Sequence, residues 1–193
     1  SYAIVDPSLS YSNPSYVKAC SALDAFSQAI ESFWAVGSSD ESRQYSRKAI
    51  KLIIDSIELA VIKNDIEAMN NMAIAANFAG KAINISKTTA AHAISYPITK
   101  YLNIPHGHAV ALTLGNFFVI NSKYSINQLN DKRGVDYFEK IIEEINSFFE
   151  CSDSDMTCVK WYQLMDNLNL ENDLKSIFRK ASIEFSSISN DIN

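Results

Sequence analysis

Glycine and proline are scarce in this chain, five and four among 193 residues. Strong turns are therefore few, and with long amphipathic runs between them the scarcity argues for an all-helical domain rather than a sheet. The glycines at 37, 80, 107, 115 and 134 are isolated from one another. With neither GxGxxG nor a triple-glycine turn, nothing in the chain can serve as a glycine-rich phosphate loop. Cysteine is limited to Cys20, Cys151 and Cys158, an odd number at no metal-like spacing. That excludes a disulfide framework and fits a reducing compartment, with Cys20 expected to be buried. Basic excess is also lacking: the net charge is -5 and no basic stripe appears, which argues against a nucleic-acid partner. The most apolar run, 109–120, is too short to span a bilayer and contains Thr113, Gly115 and Asn116. No basic segment followed by an apolar one opens the chain, so no signal peptide is read and a cytoplasmic protein without a membrane partner is expected.

What is present suffices for one domain with a sizeable core, with 47% hydrophobic and 20% charged residues. Residues 1–13 lack a helical pattern. Tyr2-Ala3-Ile4-Val5 has the character of a short strand ended by Asp6-Pro7. A lone strand needs a partner, so this segment is expected either to pair with a strand outside the chain or to lie on the helices as a loop. From Pro14 the pattern turns helical, with Leu23, Phe26, Ile30 and Phe33 at helical spacing and Gly37-Ser38-Ser39 as the stop. Ser39-Asp40-Glu41 opens a second helix whose stripe is Ala49, Ile50, Ile53, Ile54, Ile57 and Val61; Arg43, Arg47 and Lys51 lie off it and predict a solvated face. A third helix, about 66–85, is rich in small residues that allow close packing. The runs 88–102 and from His106 onward make two more, with a kink or restart predicted at Pro97 and Pro105 in a first-turn position. After a polar break at 122–133 come helices at about 135–149, 156–167 and 171–185, and a frayed tail. The expectation is a compact bundle of about seven or eight helices.

All three histidines, His92, His106 and His108, fall in the stretch KTTAAHAISYPITKYLNIPHGHAVALTLGNFFVIN, 87–121. Gly107 leaves the backbone beside His106 bare, which would let a ligand or ion come close. Asp24 and Gln28, four apart, project from one face of the first long helix, bordering its apolar stripe. Read from the residues alone, Asp24 either bonds a nearby backbone N–H or points inward, where it would need a cation. Asp24, Gln28, His92 and His106 together make a metal set, since carboxylate and imidazole suit Zn²⁺ or Fe²⁺ and bundles build such sites from facing helices. Gln28 offers only an amide oxygen, leaving three good ligands and one marginal position.

The stretches DAFSQAIESFWA (24–35), HAISYPITKYLNIPHGHAVAL (92–112) and VDPSL (5–9), with Gly80, resemble the C-terminal helical domain of the iron-containing alcohol dehydrogenases. The family's DAxxH motif, followed by two histidines 14 residues apart with the second in PHG, is matched except that Gln28 stands for the first histidine. The resemblance implies that Asp24, His92 and His106 are three of four ligands to a divalent metal, Fe²⁺ or Zn²⁺, with Gln28 at the fourth position. Tyr96 stands where the family often has a histidine near substrate and nicotinamide, and is the candidate proton donor; the alternative is a packing aromatic. In such enzymes the metal acts as a Lewis acid on an alcohol or aldehyde oxygen and hydride passes to or from a nicotinamide. Gln28, KTT at 87–89 and PHGH look like a subgroup associated with phosphonoacetaldehyde reduction. There Lys87, Thr88, Thr89 and His108 would lie near a phosphonate; the alternative for the first three is a helix-start signal.

The resemblance further implies that residues 1–13 are the remnant of an upstream nucleotide-binding α/β domain that would carry NAD(P), and 14–193 the helical metal-binding domain. The chain alone is expected to be inactive on its small aldehyde or alcohol substrate, and its bare cleft face would favour a homo-oligomer through exposed apolar surface. Two other functions fit the same residues. One is a non-catalytic helical interaction module retaining the fold, which Gln28 and Tyr96 favour. The other is non-redox metal chemistry of the dehydroquinate synthase kind, which the PHG and DAxxQ context fits less well.

Overall fold

The structure, a computed structural model, describes residues 4–123 and 129–181. After a 3₁₀ turn at Pro7–Ser10 it consists of α1 (Ser15–Trp34), α2 (Asp40–Ile62), α3 (Ile66–Ser86), α4 (Ala90–Leu102), α5 (His106–Ser122), α6 (Val135–Phe148), α7 (Ser154–Asn167) and α8 (Leu174–Ala181). Among the described residues there are eight α-helices and no strand, as the periodicity predicts. Ile4 and Val5 are irregular; Tyr2, Ala3 and the tail beyond 181 lie outside the described residues.

Side chains in the sequence start several helices. Ser39 and Ser42 exchange hydrogen bonds at the head of α2, with Asp40 and Glu41 in its positive first turn. Asp65 accepts from Ala68 N and Asp153 from Met156 N at the starts of α3 and α7. With glycine scarce, Asn64, Asn103 and Asn169 take left-handed backbone at chain reversals, a conformation their short polar side chains tolerate. α4 runs through Pro97 as a single helix rather than restarting there. The 3₁₀ turn, capped by Asp6, packs on α3, and Tyr11 donates to Asn70 Oδ1 at 2.6 Å. The described part of the N-terminal segment thus lies on the helices.

α1 is the central element, packed against α2, α3 and α5. Its stripe of Leu23, Phe26, Ile30 and Phe33 is fully buried, and Cys20 is buried as expected. Phe26 (α1), Phe118 (α5), Trp161 (α7) and Phe149 form an aromatic knot with ring centroids 5.2–6.5 Å apart. Two parts of the expected surface differ. Ile54, assigned to the buried stripe of α2, is 38% exposed at its edge. Arg43 and Arg47 do not form a solvated face: Arg43 is buried beside Ser38, Asp40 and the Tyr137 ring, and Arg47 lies over Phe33 and pairs with Glu144 of α6. Their long aliphatic stems cover apolar surface while the charged heads find partners across the helix boundary. Among the described residues no helix is long and apolar enough to cross a membrane.

Candidate metal centre

α1, α4 and α5 meet at one point, and each delivers a ligand there. α1 carries Asp24 in its middle, α4 presents His92 from its first turn, and α5 opens with His106. Asp24 Oδ1 stands 3.4 Å from His92 Nε2 and 3.7 Å from His106 Nε2, and one donor atom from each residue lies within 4.8 Å of the others. Among the described residues this is the group of His, Cys, Asp or Glu donors close enough to share an ion. The imidazoles meet edge to face at 5.4 Å. Asp24 Oδ1 and His92 Nε2 are both buried and lack a hydrogen-bond partner. Burying such atoms unpaired costs about 1–3 kcal/mol each, and a cation shared between them removes the penalty. The donor set therefore fits a divalent metal of the Zn²⁺ or Fe²⁺ kind.

Neighbouring groups complete the geometry. Gln28 Nε2 donates to Asp24 Oδ2 at 3.0 Å, so Gln28 reaches the group through Asp24 rather than through its own oxygen. His106 Nδ1 lies 3.2 Å from Ser95 Oγ, which itself donates to the carbonyl of His92 at 2.6 Å. Tyr96 is 65% exposed and stacks on the His106 ring at 5.6 Å. Burial disfavours the His92 imidazolium, but the carboxylates of Asp24 and Glu31 outweigh it and raise His92 to about 9.

Gly107 does something other than the sequence suggests. A Cβ there would stand 2.0 Å from the carbonyl oxygen of Cys20 and 2.8 Å from Asp24 Cβ. The bare backbone lets α5 press against α1, which brings His106 to Asp24; it does not serve to admit a ligand. His108, two positions after His106 on α5, is buried and turned elsewhere: its Nε2–H donates to Glu171 O at 2.7 Å and Nδ1 accepts from Tyr16 OH at 3.2 Å. Burial lowers its pKa. The structure does not bring His108 to the Asp24 group.

Before α4, Lys87 is exposed and holds φ 68°, ψ 174°, backbone that is nearly reserved for glycine. Thr88 is half-buried. Thr89 Oγ1 donates to Glu31 at 2.6 Å and accepts from Trp34 Nε1 at 3.0 Å. Glu31, fully buried and in contact with His92 Nδ1, is the residue that sequence reading missed. Its signal was there: 24, 28 and 31 follow the i, i+4, i+7 spacing of one helix face.

A family model described as Fe-containing alcohol dehydrogenase family, C-terminal, matches residues 18–182. Similar curated proteins include the phosphonoacetaldehyde reductase of Streptomyces viridochromogenes, 31% identical over 126 residues, or 64% of this chain and 31% of that protein. The NAD-dependent methanol dehydrogenase of Bacillus methanolicus is 35% identical over 106 residues, 54% of this chain and 28% of that protein. Among solved structures, a sulfoacetaldehyde reductase from Bifidobacterium kashiwanohense in complex with NAD+ superposes with a TM-score of 0.77 at 30% identity, over 96% of this chain and 45% of that one. An iron-containing alcohol dehydrogenase from Thermococcus thioreducens shares the fold, with a TM-score of 0.79 at 24% identity over 98% of this chain and 47% of that one. The chain thus spans about a third of the length of these curated relatives and a little under half of these solved chains.

Proposed function

The chain belongs to the Fe-containing alcohol dehydrogenase family, and from that membership we propose that it is the helical, metal-binding half of an NAD(P)-dependent alcohol dehydrogenase or aldehyde reductase. The observation that carries the reading is the convergence of Asp24, His92 and His106, with two buried ligand atoms left unpaired. In this reading those three residues hold Fe²⁺ or Zn²⁺, and Gln28, bonded to Asp24, is the marginal fourth. A divalent ion there supplies Lewis-acid polarisation of an alcohol or aldehyde oxygen. NAD(P) is carried by an upstream nucleotide-binding domain of which residues 1–13 are the remnant, and 14–193 form the metal-binding domain. The chain by itself then binds metal without turning over, since it has no glycine-rich phosphate loop.

The remaining roles belong to the chain's own side chains. Tyr96, exposed and stacked on His106, keeps a phenol at the mouth of the site and hands a proton to the substrate oxygen. Lys87 and Thr88 receive an anionic tail, for which a cation and a hydroxyl are suited. Strained backbone at Lys87 supports that placement, and Thr89 is left out of it, because its hydroxyl and its N–H both donate to Glu31. Relatives named for phosphonoacetaldehyde and sulfoacetaldehyde reduction support a small aldehyde with an acidic tail as substrate. His108 is left out of the set, because both of its ring nitrogens hold protein partners.

The test joins the chain to the nucleotide-binding half of a relative and follows NAD(P)H oxidation with phosphonoacetaldehyde, with and without added Zn²⁺ or Fe²⁺. Metal-dependent reduction is expected, falling at least about a hundredfold in His92→Ala. A folded, metal-loaded fusion without activity on any small aldehyde overturns the reading. A chain that takes up no metal, like its His92→Ala variant, favours instead an interaction module that keeps the fold.

A further inference from the structure

Glu31 is a fully buried carboxylate on α1, seven residues after Asp24 and on the same face. A charge in that position needs partners, and four donors surround it. Oε1 accepts from Thr89 N at 3.2 Å, Thr89 Oγ1 at 2.6 Å and Ala91 N at 2.9 Å. These take up free N–H groups at the head of α4, where the helix dipole favours a negative group. Oε2 faces Nδ1 of His92. One carboxylate therefore grips both the helix that carries His92 and the imidazole itself.

We infer that Glu31 is a positioning residue of the metal centre: by accepting from His92 Nδ1–H it leaves Nε2 as the nitrogen that gives up its proton to a metal, and aims it at the point shared with Asp24 and His106. The inference rests on the metal-binding reading above. The unpaired state of His92 Nε2, 3.4 Å from Asp24 Oδ1, is what this arrangement demands. His106 is held in parallel fashion. Ser95 Oγ donates its own proton to the His92 carbonyl and so accepts from His106 Nδ1–H, which leaves that ring's Nε2 turned toward Asp24. Outer partners of this kind fix the tautomer and ring orientation of ligating histidines. α1 thus supplies a ligand, Asp24, and the orienter of a second ligand from one rigid face.

The experiment titrates the full 193-residue chain with Zn²⁺ at fixed pH by calorimetry, beside Glu31→Gln, His92→Ala and Arg133→Ala. Glu31→Gln keeps the volume, and its oxygen can still meet the α4 N–H groups. Its amide then presents N–H to His92 Nδ1, which favours the tautomer with the proton on Nε2 and opposes metal binding. Zn²⁺ affinity is expected to fall about 10- to 100-fold in Glu31→Gln. Arg133→Ala, destabilised through side-chain contacts that include neither Glu31 nor any of Asp24, His92 and His106, is expected to bind within about threefold of the parent, which separates positioning from general loss of stability.

An affinity of Glu31→Gln within threefold of the parent, while His92→Ala is weakened a hundredfold, overturns the role of Glu31 and leaves the metal reading standing. An unaltered affinity in His92→Ala overturns both. Should Glu31→Gln lose its helix content, Glu31→Asp is read by the same titration. The charge is kept but withdrawn by one methylene, so a loss of at least about threefold is expected and an unchanged affinity refutes the inference.

Discussion

At the scale of single residues, two glycines make opposite predictions. The Cβ of Gly107→Ala would meet the Cys20 carbonyl and Asp24 Cβ, neither of which can give way without moving α1. We expect a loss of about 2–4 kcal/mol in urea unfolding, with Zn²⁺ affinity falling at least about tenfold as His106 leaves Asp24. Gly80, inside α3, has nothing within 4 Å of the place a methyl group would take, so Gly80→Ala should stabilise by about 0.5–1 kcal/mol in the same experiment. Gln28→His puts an imidazole four residues from Asp24 on the face that already touches it. Zn²⁺ affinity should rise by about tenfold or more, as expected for replacing an amide by a good ligand. A weaker or unchanged affinity would show that the position cannot reach the ion.

Between elements, Arg133 is the fastener that holds the segment before α6 onto the α1–α2 turn. Its guanidinium donates to Asp131, to Ser38 Oγ and Tyr137 OH, and to the carbonyls of Ala35, Val36 and Ser38. Arg133→Ala leaves three carbonyls and a buried carboxylate without this partner, at a cost of about 2–4 kcal/mol in thermal or urea unfolding. The hydrogen bond from Arg133 holds the Asp131 carboxyl below its ordinary 3.8 against the opposing effect of burial. A depressed folded value means the stabilisation is complete above the unfolded value and is lost as pH falls through the folded one. Asp131→Asn should therefore be less stable than the parent by a constant margin above about pH 5, and that margin should shrink below about pH 4. Paired unfolding curves across that range check it.

Over the whole molecule, the metal group and the aromatic knot are two ends of one packing arrangement. α5 carries His106 at its head and Phe118 three turns later, where the latter meets Trp34, Phe149 and Trp161. Trp161 Nε1 and Tyr162 OH donate to the Ala111 and Leu112 carbonyls, tying α7 to the middle of α5. Phe118→Ala opens a cavity at the crossing of these helices. A loss of about 3–5 kcal/mol in urea unfolding is expected. A loss below about 1 kcal/mol would mean that the knot relaxes around the gap and does not set the position of α5.

Local chemistry was enough to determine the helices: a stripe such as Leu23, Phe26, Ile30 and Phe33, or a cap such as Ser39, acts within a few turns of chain. Asp24, His92 and His106 were legible as a set because their residue types and spacings are chemically unusual together. Tertiary structure alone decided the rest. Glu31 has its role from Thr89, Ala91 and His92, about 60 positions away; His108 is drawn off by Tyr16 and Glu171; Arg43 and Arg47 are covered by α6. Periodicity reports which way a side chain leaves its own helix, but burial, pairing and pKa depend on what the other helices bring to meet it.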